Sequence, residues 1–259
     1  MASVAADTAP KTVALFGTCI NDMMFPRTLE ATATLLERLG CKVDYPKEQT
    51  CCGQLFTNTG YFDRAMPTVR SFLKAFEDYD YIVGPSGSCV GAVRHQHEML
   101  AKDAGDFPLA ERVAQVVPRV YDISEFIVDV MGTTDVGAYF PHKVTYHPSC
   151  HSMRVAHVGD KPLQLLKAVR GIEYVELVDA KQCCGFGGTF SLKNPDVSIA
   201  MAKDKAQHIA DTGAEYVVAG DNMCLLNFGG VLRRQKQKTK AIHLVEVLAT
   251  QDDESRRTA

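Results

Sequence analysis

The chain has 259 residues, 46% apolar and 23% charged, enough for one large domain or two modest ones with a sizeable core. Asp and Glu (31) outnumber Lys and Arg (28) for a formal net charge of −3, which argues against a nucleic-acid-binding surface. No apolar run reaches the ~18–20 residues that cross a bilayer, and MASVAADTAPK has no basic stretch followed by an apolar one, so neither a transmembrane segment nor a signal peptide is expected.

In chain order, residues 12–17 (TVALFG) read as a strand, and 27–39 as a helix with Leu29, Ala33, Leu36 and Leu39 at helical spacing and Gly40 as its stop. Residues 41–45 form a second strand, 64–76 a second helix, 79–84 a third strand and 90–101 a third helix. The order then repeats: strand 143–147, helix 163–169, strand 173–178, helix 197–210, strand 216–220 and helix 224–232. A strand-like piece at 241–244 precedes a short helical tail, and the terminal QDDESRRTA reads as disordered. Alternating strands and helices predict an α/β protein of two duplicated Rossmann-like β-α-β-α-β-α units with parallel sheets. The expected units are 1–135 and 136–259, with the seam in the stretch 132–141.

Cysteine is the unusual component, with nine residues, an odd number, and two adjacent pairs. Adjacent cysteines are poor disulfide partners, and grouped cysteines in a reducing compartment indicate metal or redox chemistry. The expected location is accordingly cytoplasmic, with any membrane association peripheral and through partners. Cys-Cys-Gly occurs at Cys51-Cys52-Gly53 and 132 residues later at Cys183-Cys184-Gly185. A cysteine precedes each pair (Cys19 and Cys150, 131 apart), and another follows (Cys89 and Cys224, 135 apart). Three concordant offsets identify a duplication. Each of these eight cysteines falls after a predicted strand, at the edge where parallel sheets gather ligands. Cys41 falls at the start of its strand, opposite a non-ligand near Ile172, and is expected to pack as a small hydrophobe.

Thiolates converging at a sheet edge suit an iron–sulfur cluster, zinc, or a redox disulfide. The short C-x₂₋₄-C knuckles of structural zinc sites are absent, which favours a cluster cradle, with the glycine after each pair letting backbone approach it. His147 and His151 bracket Cys150 and are weighed as donors to a cluster sulfur against a structural role. His95 and His97 do not share a helix face and read as structural. Tyr146 and Phe190 read as core or shielding residues.

The segments GTCINDMMFP, QTCCGQLFTNTGY, VGPSGSCVGAVRH, TYHPSCHS, QCCGFGGTFSLKN, VVAGDNMCL and IHLVEVL resemble the cysteine-rich CCG domain family over nearly the whole chain. That family includes the cysteine-rich component of heterodisulfide reductases, the iron–sulfur subunit of glycolate oxidase, and a lactate-utilization branch to which the flanking residues are most similar. The resemblance implies a non-autonomous electron-transfer subunit of a complex oxidising L-lactate or a similar 2-hydroxy acid. It implies one or two iron–sulfur clusters per chain, [4Fe–4S] or a variant, and partner subunits with ferredoxin-type clusters (LutB-like, LutC-like). The implied ligands are Cys19, Cys51, Cys52 and Cys89 in one unit and Cys150, Cys183, Cys184 and Cys224 in the other. The family pattern has a fifth cysteine per unit; here Ser86 and Asp221 stand in its place, with Asp221 an oxygen-ligand candidate. A zinc-stabilised module and a thiol–disulfide enzyme similar to heterodisulfide reductase are the alternatives.

Overall fold

The computed structural model of the protein describes residues 10–252, so the expectations for the first residues and for the polar tail after 252 lie outside the described residues. The first half contains β1 (Thr12–Leu15), α1 (Cys19–Met24), α2 (Pro26–Arg38), β2 (Lys42–Asp44), α3 (Gln54–Thr57), α4 (Phe62–Phe76), β3 (Tyr81–Gly84), α5 (Gly87–Asp103), α6 (Phe107–Val116), β4 (Val120–Asp122) and α7 (Ile123–Glu125), the last running into a π-helical turn, Phe126–Val130. The second half contains β5 (Lys143–His147), α8 (Cys150–Arg154), α9 (Lys161–Ala168), β6 (Glu173–Tyr174), α10 (Phe190–Lys193), α11 (Pro195–Asp211), β7 (Tyr216–Ala219), α12 (Asn222–Arg234), β8 (Lys240–His243) and α13 (Leu244–Ala249).

The strands form two four-stranded sheets, β2-β1-β3-β4 and β6-β5-β7-β8, with every pairing parallel. This is the expected duplicated α/β architecture, with the strand-like piece expected at 241–244 forming β8 and one further strand in the first half. The fourth strand of the first half, β4, and helix α6 before it were not expected from the sequence. β4 is three residues long and offers one core aliphatic, Val120. In both sheets the strand order reverses between the first and third strands. The loops that follow those two strands therefore diverge, and the crevice between them is where open α/β sheets bind ligands.

The strands are buried on both faces, which explains their nearly unbroken apolar runs. Val13, Val83, Val144 and Val218 face a core shared by the two halves. Their neighbours Ala14 and Ile82 face a second core with α4, α5 and α6, and Val217 and Ala219 face a third with α11 and α12. The shared core is closed by a reciprocal exchange. Helix α13 packs on α2, and α7 packs on α9, so each half's last helix covers the other half's helix after its first strand. Arg38 of α2 donates to the carbonyls of Leu248 (2.5 Å) and Ala249 (3.3 Å), capping the end of α13. Val136, Ala138 and Phe140, from the segment that joins the halves, lie in the same core.

Cys41 packs as expected. Helix α2 ends in a Schellman turn, with Gly40 at φ 84°, Gly40 N–H donating to Glu37 O and Cys41 N–H to Leu36 O. The buried Cys41 side chain sits in the shared core with Leu36. No helix among the described residues is long and apolar enough to cross a membrane.

Close contacts hold the halves at the carboxyl ends of the strands. Gly87 abuts Ser152 of α8: a Cβ added there would stand 2.0 Å from Ser152 Oγ and 3.2 Å from its Cα. At the position that follows Asp221 as Gly87 follows Ser86, Asn222 instead donates to Asn21 Oδ1 and Thr28 Oγ1, each at 2.9 Å. Thr28 in turn donates to Glu246 (2.6 Å). Arg94 of α5 pairs with Glu125 (2.8 Å) while donating to Val120 O in its own half and Ala156 O in the other (3.2 Å).

Two outcomes follow. Gly87→Ala overpacks the joint between halves and is expected to cost about 2 kcal/mol, lowering Tm by roughly 4–8 °C; Gly230→Ala in α12, where an added Cβ meets nothing within 4 Å, holds or raises Tm. Asp122 caps α7 through Ser124 N–H (2.8 Å), and burial, with repulsion from Glu125, pushes its carboxyl up to about 7. The native state therefore holds a proton that the unfolded chain has released, and stability falls as pH rises from about 4 to 7. Denaturant titration is expected to show a loss of about 1 kcal/mol between pH 6 and pH 8, reduced in Asp122→Asn, which keeps a capping side chain.

Candidate iron–sulfur site

Four of the eight repeated cysteines open helices. Cys19 and Cys150 are the first residues of α1 and α8, and Cys89 and Cys224 lie in the first turns of α5 and α12. Helix N-termini favour a thiolate. The turn before Cys19 is clamped by Gln49, whose Oε1 accepts from Gly17 N–H (2.8 Å) and whose Nε2 donates to Leu15 O (3.1 Å). Thr18 is held at φ 62°, an uncommon conformation for threonine, and brings Cys19 round to the sheet edge.

The Cys-Cys-Gly turns are built alike. Gly53 and Gly185 have φ of 83° and 84°, and each donates its N–H to the first cysteine of its pair, Cys51 or Cys183, at 3.4 Å. A Cβ at Gly53 would stand 2.3 Å from Thr68 Oγ1 of α4, and one at Gly185 2.8 Å from Ser198 O of α11. The glycines are thus required by backbone conformation and by the helix behind the turn. This differs from the expectation that they admit a bulky group on the thiol side. The carbonyl of the second cysteine is also held in both halves: Cys52 O by His97 Nε2 and Cys184 O by Asn227 Nδ2, both at 2.8 Å. His97 therefore has the structural role expected of it, in the core against Phe72. Asn227 carries no sequence signal and was not anticipated.

The thiols run in two matching rows. Cys51 accepts hydrogen bonds from Cys19 and from Cys52, which hold its thiol far below the usual range. Cys183 is held down by the hydrogen bond from Cys150, with the Cys184 thiol beside it. The donors Cys19 and Cys150 are pushed up by those same bonds and by burial. Each row ends at the helix cysteine. Cys52 hydrogen-bonds to Cys89, and Cys184 donates to Cys224 across 3.0 Å, lowering the Cys224 thiol to about 6. In each row two thiols are half-buried (Cys19, Cys51; Cys150, Cys183) and two are buried (Cys52, Cys89; Cys184, Cys224).

All eight line a single cavity of about 350 Å³, walled further by Ile20, Leu55, Phe186, Leu192 and Met223. The sequence places each set of four at the edge of its own sheet; the structure adds that the two edges face each other. Asp221 lies on the cavity wall, 2% exposed, and is not a solvated loop residue. Its Oδ1 accepts from Met223 N–H (3.1 Å) and its Oδ2 from Ser88 N–H (3.2 Å), so it caps α12 and reaches the start of α5. Ser86 is the residue before α5 and bonds to Ser88 Oγ (3.2 Å).

The residues present fit an iron–sulfur cluster. Each row gathers four soft sulfur donors, enough for a [4Fe–4S] cluster. Gly187 and Gly188, at φ 56° and 64°, line the cavity without side chains, and Ser149 Oγ on the wall is buried without a hydrogen-bond partner. His151 Nδ1 lies 3.6 Å from Cys150 Sγ, and His147 lies behind the second row, within 4.8 Å of the sulfurs of Cys184 and Cys224. Tyr146 is buried in the shared core, as expected.

Comparison with known proteins agrees with this site. The CCG cysteine-rich domain family matches twice, over residues 13–94 and 144–229. The chain is 46% identical to lactate utilization protein A of Oceanobacillus iheyensis, over 92% of this chain and 96% of that protein. It is 40% identical to lactate utilization protein A of Bacillus subtilis (91% and 98%) and 43% identical to YkgE of Escherichia coli (91% and 98%), a protein described as uncharacterized. A crystal structure of a hypothetical protein from Helicobacter pylori shares the fold, with a TM-score of 0.61 at 12% identity; it covers 95% of this chain, which spans half of that one. The doubled thiol rows and the doubled family match have one conclusion: the chain belongs to the CCG cysteine-rich domain family, with two such units.

Proposed function

We propose that this chain is an iron–sulfur electron-transfer subunit of a complex that oxidises L-lactate, or a similar 2-hydroxy acid, to the 2-oxo acid. The observation that carries the reading is the pair of matching thiol rows on one cavity. The substrate class is supported by the relatives named lactate utilization protein A, which align with nearly the whole chain.

Cys19, Cys51, Cys52 and Cys89 would hold one cluster, and Cys150, Cys183, Cys184 and Cys224 the second. Bound there, a cluster supplies one-electron transfer. Oxidising a hydroxy acid removes two electrons and two protons together, so a two-electron acceptor in a partner subunit would take the pair and two one-electron centres here would match its electron count. The chain's own contribution is to hold the thiols. Helix N-termini at Cys19, Cys89, Cys150 and Cys224 favour the ligating thiolates, the anchored carbonyls of Cys52 and Cys184 fix the turns, and the apolar wall limits water. Partner subunits with ferredoxin-type clusters (LutB-like, LutC-like) would complete the route for substrate and electrons. The half-buried thiols face the open side of the cavity, where Leu192 is 82% exposed.

A zinc-stabilised module is the second reading, favoured by the grouping of His147, Cys184 and Cys224. Metal analysis of anaerobically purified protein separates the two. The expected result is about eight irons and eight acid-labile sulfides per chain, with little zinc. Cys52→Ala and Cys184→Ala are each expected to remove about half of that iron. Stoichiometric zinc without sulfide would overturn the proposal. With both partners present, L-lactate is expected to bleach the visible absorption of the protein; no bleaching with the complete set would exclude lactate as the electron source.

A further inference from the structure

The two thiol rows match, but what stands behind them does not. His147 is the last residue of β5, completely buried. Its ring nitrogens have no partner besides the Cys224 thiol. A buried imidazole with so few partners is costly, and the ring is positioned to be satisfied by something at the second thiol row. One nitrogen lies within 4.8 Å of the sulfurs of Cys184 and Cys224, which are themselves 3.0 Å apart. Phe228 packs edge-on against the ring at 5.4 Å, fixing its orientation. Three residues before Cys19, as His147 stands three before Cys150, the first half has Phe16, fully buried against Phe72 and Phe76. The first row therefore has a hydrocarbon where the second has an imidazole.

Asp221 stands where the second unit lacks a cysteine, but both its carboxylate oxygens already accept backbone N–H groups, one from each half. Those two bonds engage it as the cap that ties α12 to α5. Resting on the iron–sulfur reading above, we propose that His147 is the additional, nitrogen ligand of the second centre, alongside Cys150, Cys183, Cys184 and Cys224. The first centre is held by its four cysteines alone. One chain thus carries two chemically distinct centres, which differ by one nitrogen donor.

The test uses anaerobically purified protein, labelled with ¹⁵N-histidine, reduced with dithionite and examined by pulsed electron paramagnetic resonance. The expected result is the coupling of one directly coordinated histidine nitrogen to a reduced cluster. It is retained in His151→Phe and lost in His147→Phe, with the iron of the first row still present. Two separate one-electron steps in a redox titration are expected in the wild type, only one of which moves in His147→Phe. If His147→Phe does not fold, the labelled wild type and His151→Phe still decide the matter. Full iron and sulfide with no coordinated histidine nitrogen, or a coupling that disappears in His151→Phe, overturns the assignment and leaves the electron-transfer reading standing. A preparation without iron and sulfide removes both.

Discussion

A buried carboxylate joins the two halves where their chemistry meets. Asp221 accepts N–H groups from the first turn of its own helix, α12, and from the first turn of α5 in the other half. Burying a carboxylate is tolerable only when its oxygens are bonded, and the two helix starts supply those bonds together with favourable dipoles. Because α5 and α12 also carry Cys89 and Cys224, fixing their starts against each other fixes the inner ends of both thiol rows. The contact of Gly87 with Ser152 and the hydrogen bonds from Asn222 to Asn21 and Thr28 brace the joint on either side.

The rest of the molecule is arranged to make that meeting possible. A parallel sheet gathers its ligand-bearing loops at one edge, and two such sheets brought edge to edge enclose a space lined from both. The exchange of α13 onto α2 and of α7 onto α9 buries the sheets' inner faces in one common core. Val136, Ala138 and Phe140 pass through that core, so the connection between halves is itself packed. Neither half closes its inner face alone. The thiols at the back of each row, Cys52, Cys89, Cys184 and Cys224, are buried as a consequence, and the outer four remain within reach of the open side.

Much of this is legible in the sequence. The cysteine offsets disclose the duplication, because identical loops on identical folds must recur at near-constant spacing. Parallel strands then place Cys19, Cys51, Cys52 and Cys89 together without any knowledge of contacts, and Cys41 at the wrong end of its strand excludes itself. β4 was not legible: Val120-Tyr121-Asp122 follows Pro118 and is too short to show a period, and its strand character comes from pairing with β3. The facing of the two rows was not legible either, since it depends on helices exchanged between halves that are far apart in sequence. The roles of Gln49 and Asn227 rest on side-chain hydrogen bonds across 32 and 34 residues for the first and 43 for the second, which leave no local pattern. The glycine of each Cys-Cys-Gly turn was visible, but its reason was not: the crowding comes from α4 and α11 behind the turn.

What the duplication has kept and what it has let diverge differ in kind. Backbone devices are kept: positive-φ glycines after each pair, cysteines at helix starts, and an anchored carbonyl at the second cysteine. Side chains around the rows have diverged, with Phe16 opposite His147, Ser86 opposite Asp221, and Gly87 opposite Asn222. Geometry for holding four sulfurs thus remains equal in the two halves, while charge and hydrogen-bonding around them do not. The potential of a cluster follows its ligands, nearby charge and burial, so under the proposed iron–sulfur function divergence of this kind would tune two centres apart without disturbing how either is held. In a cavity that both rows share, such a difference would give electrons a preferred direction between two bound clusters, which two identical centres could not provide.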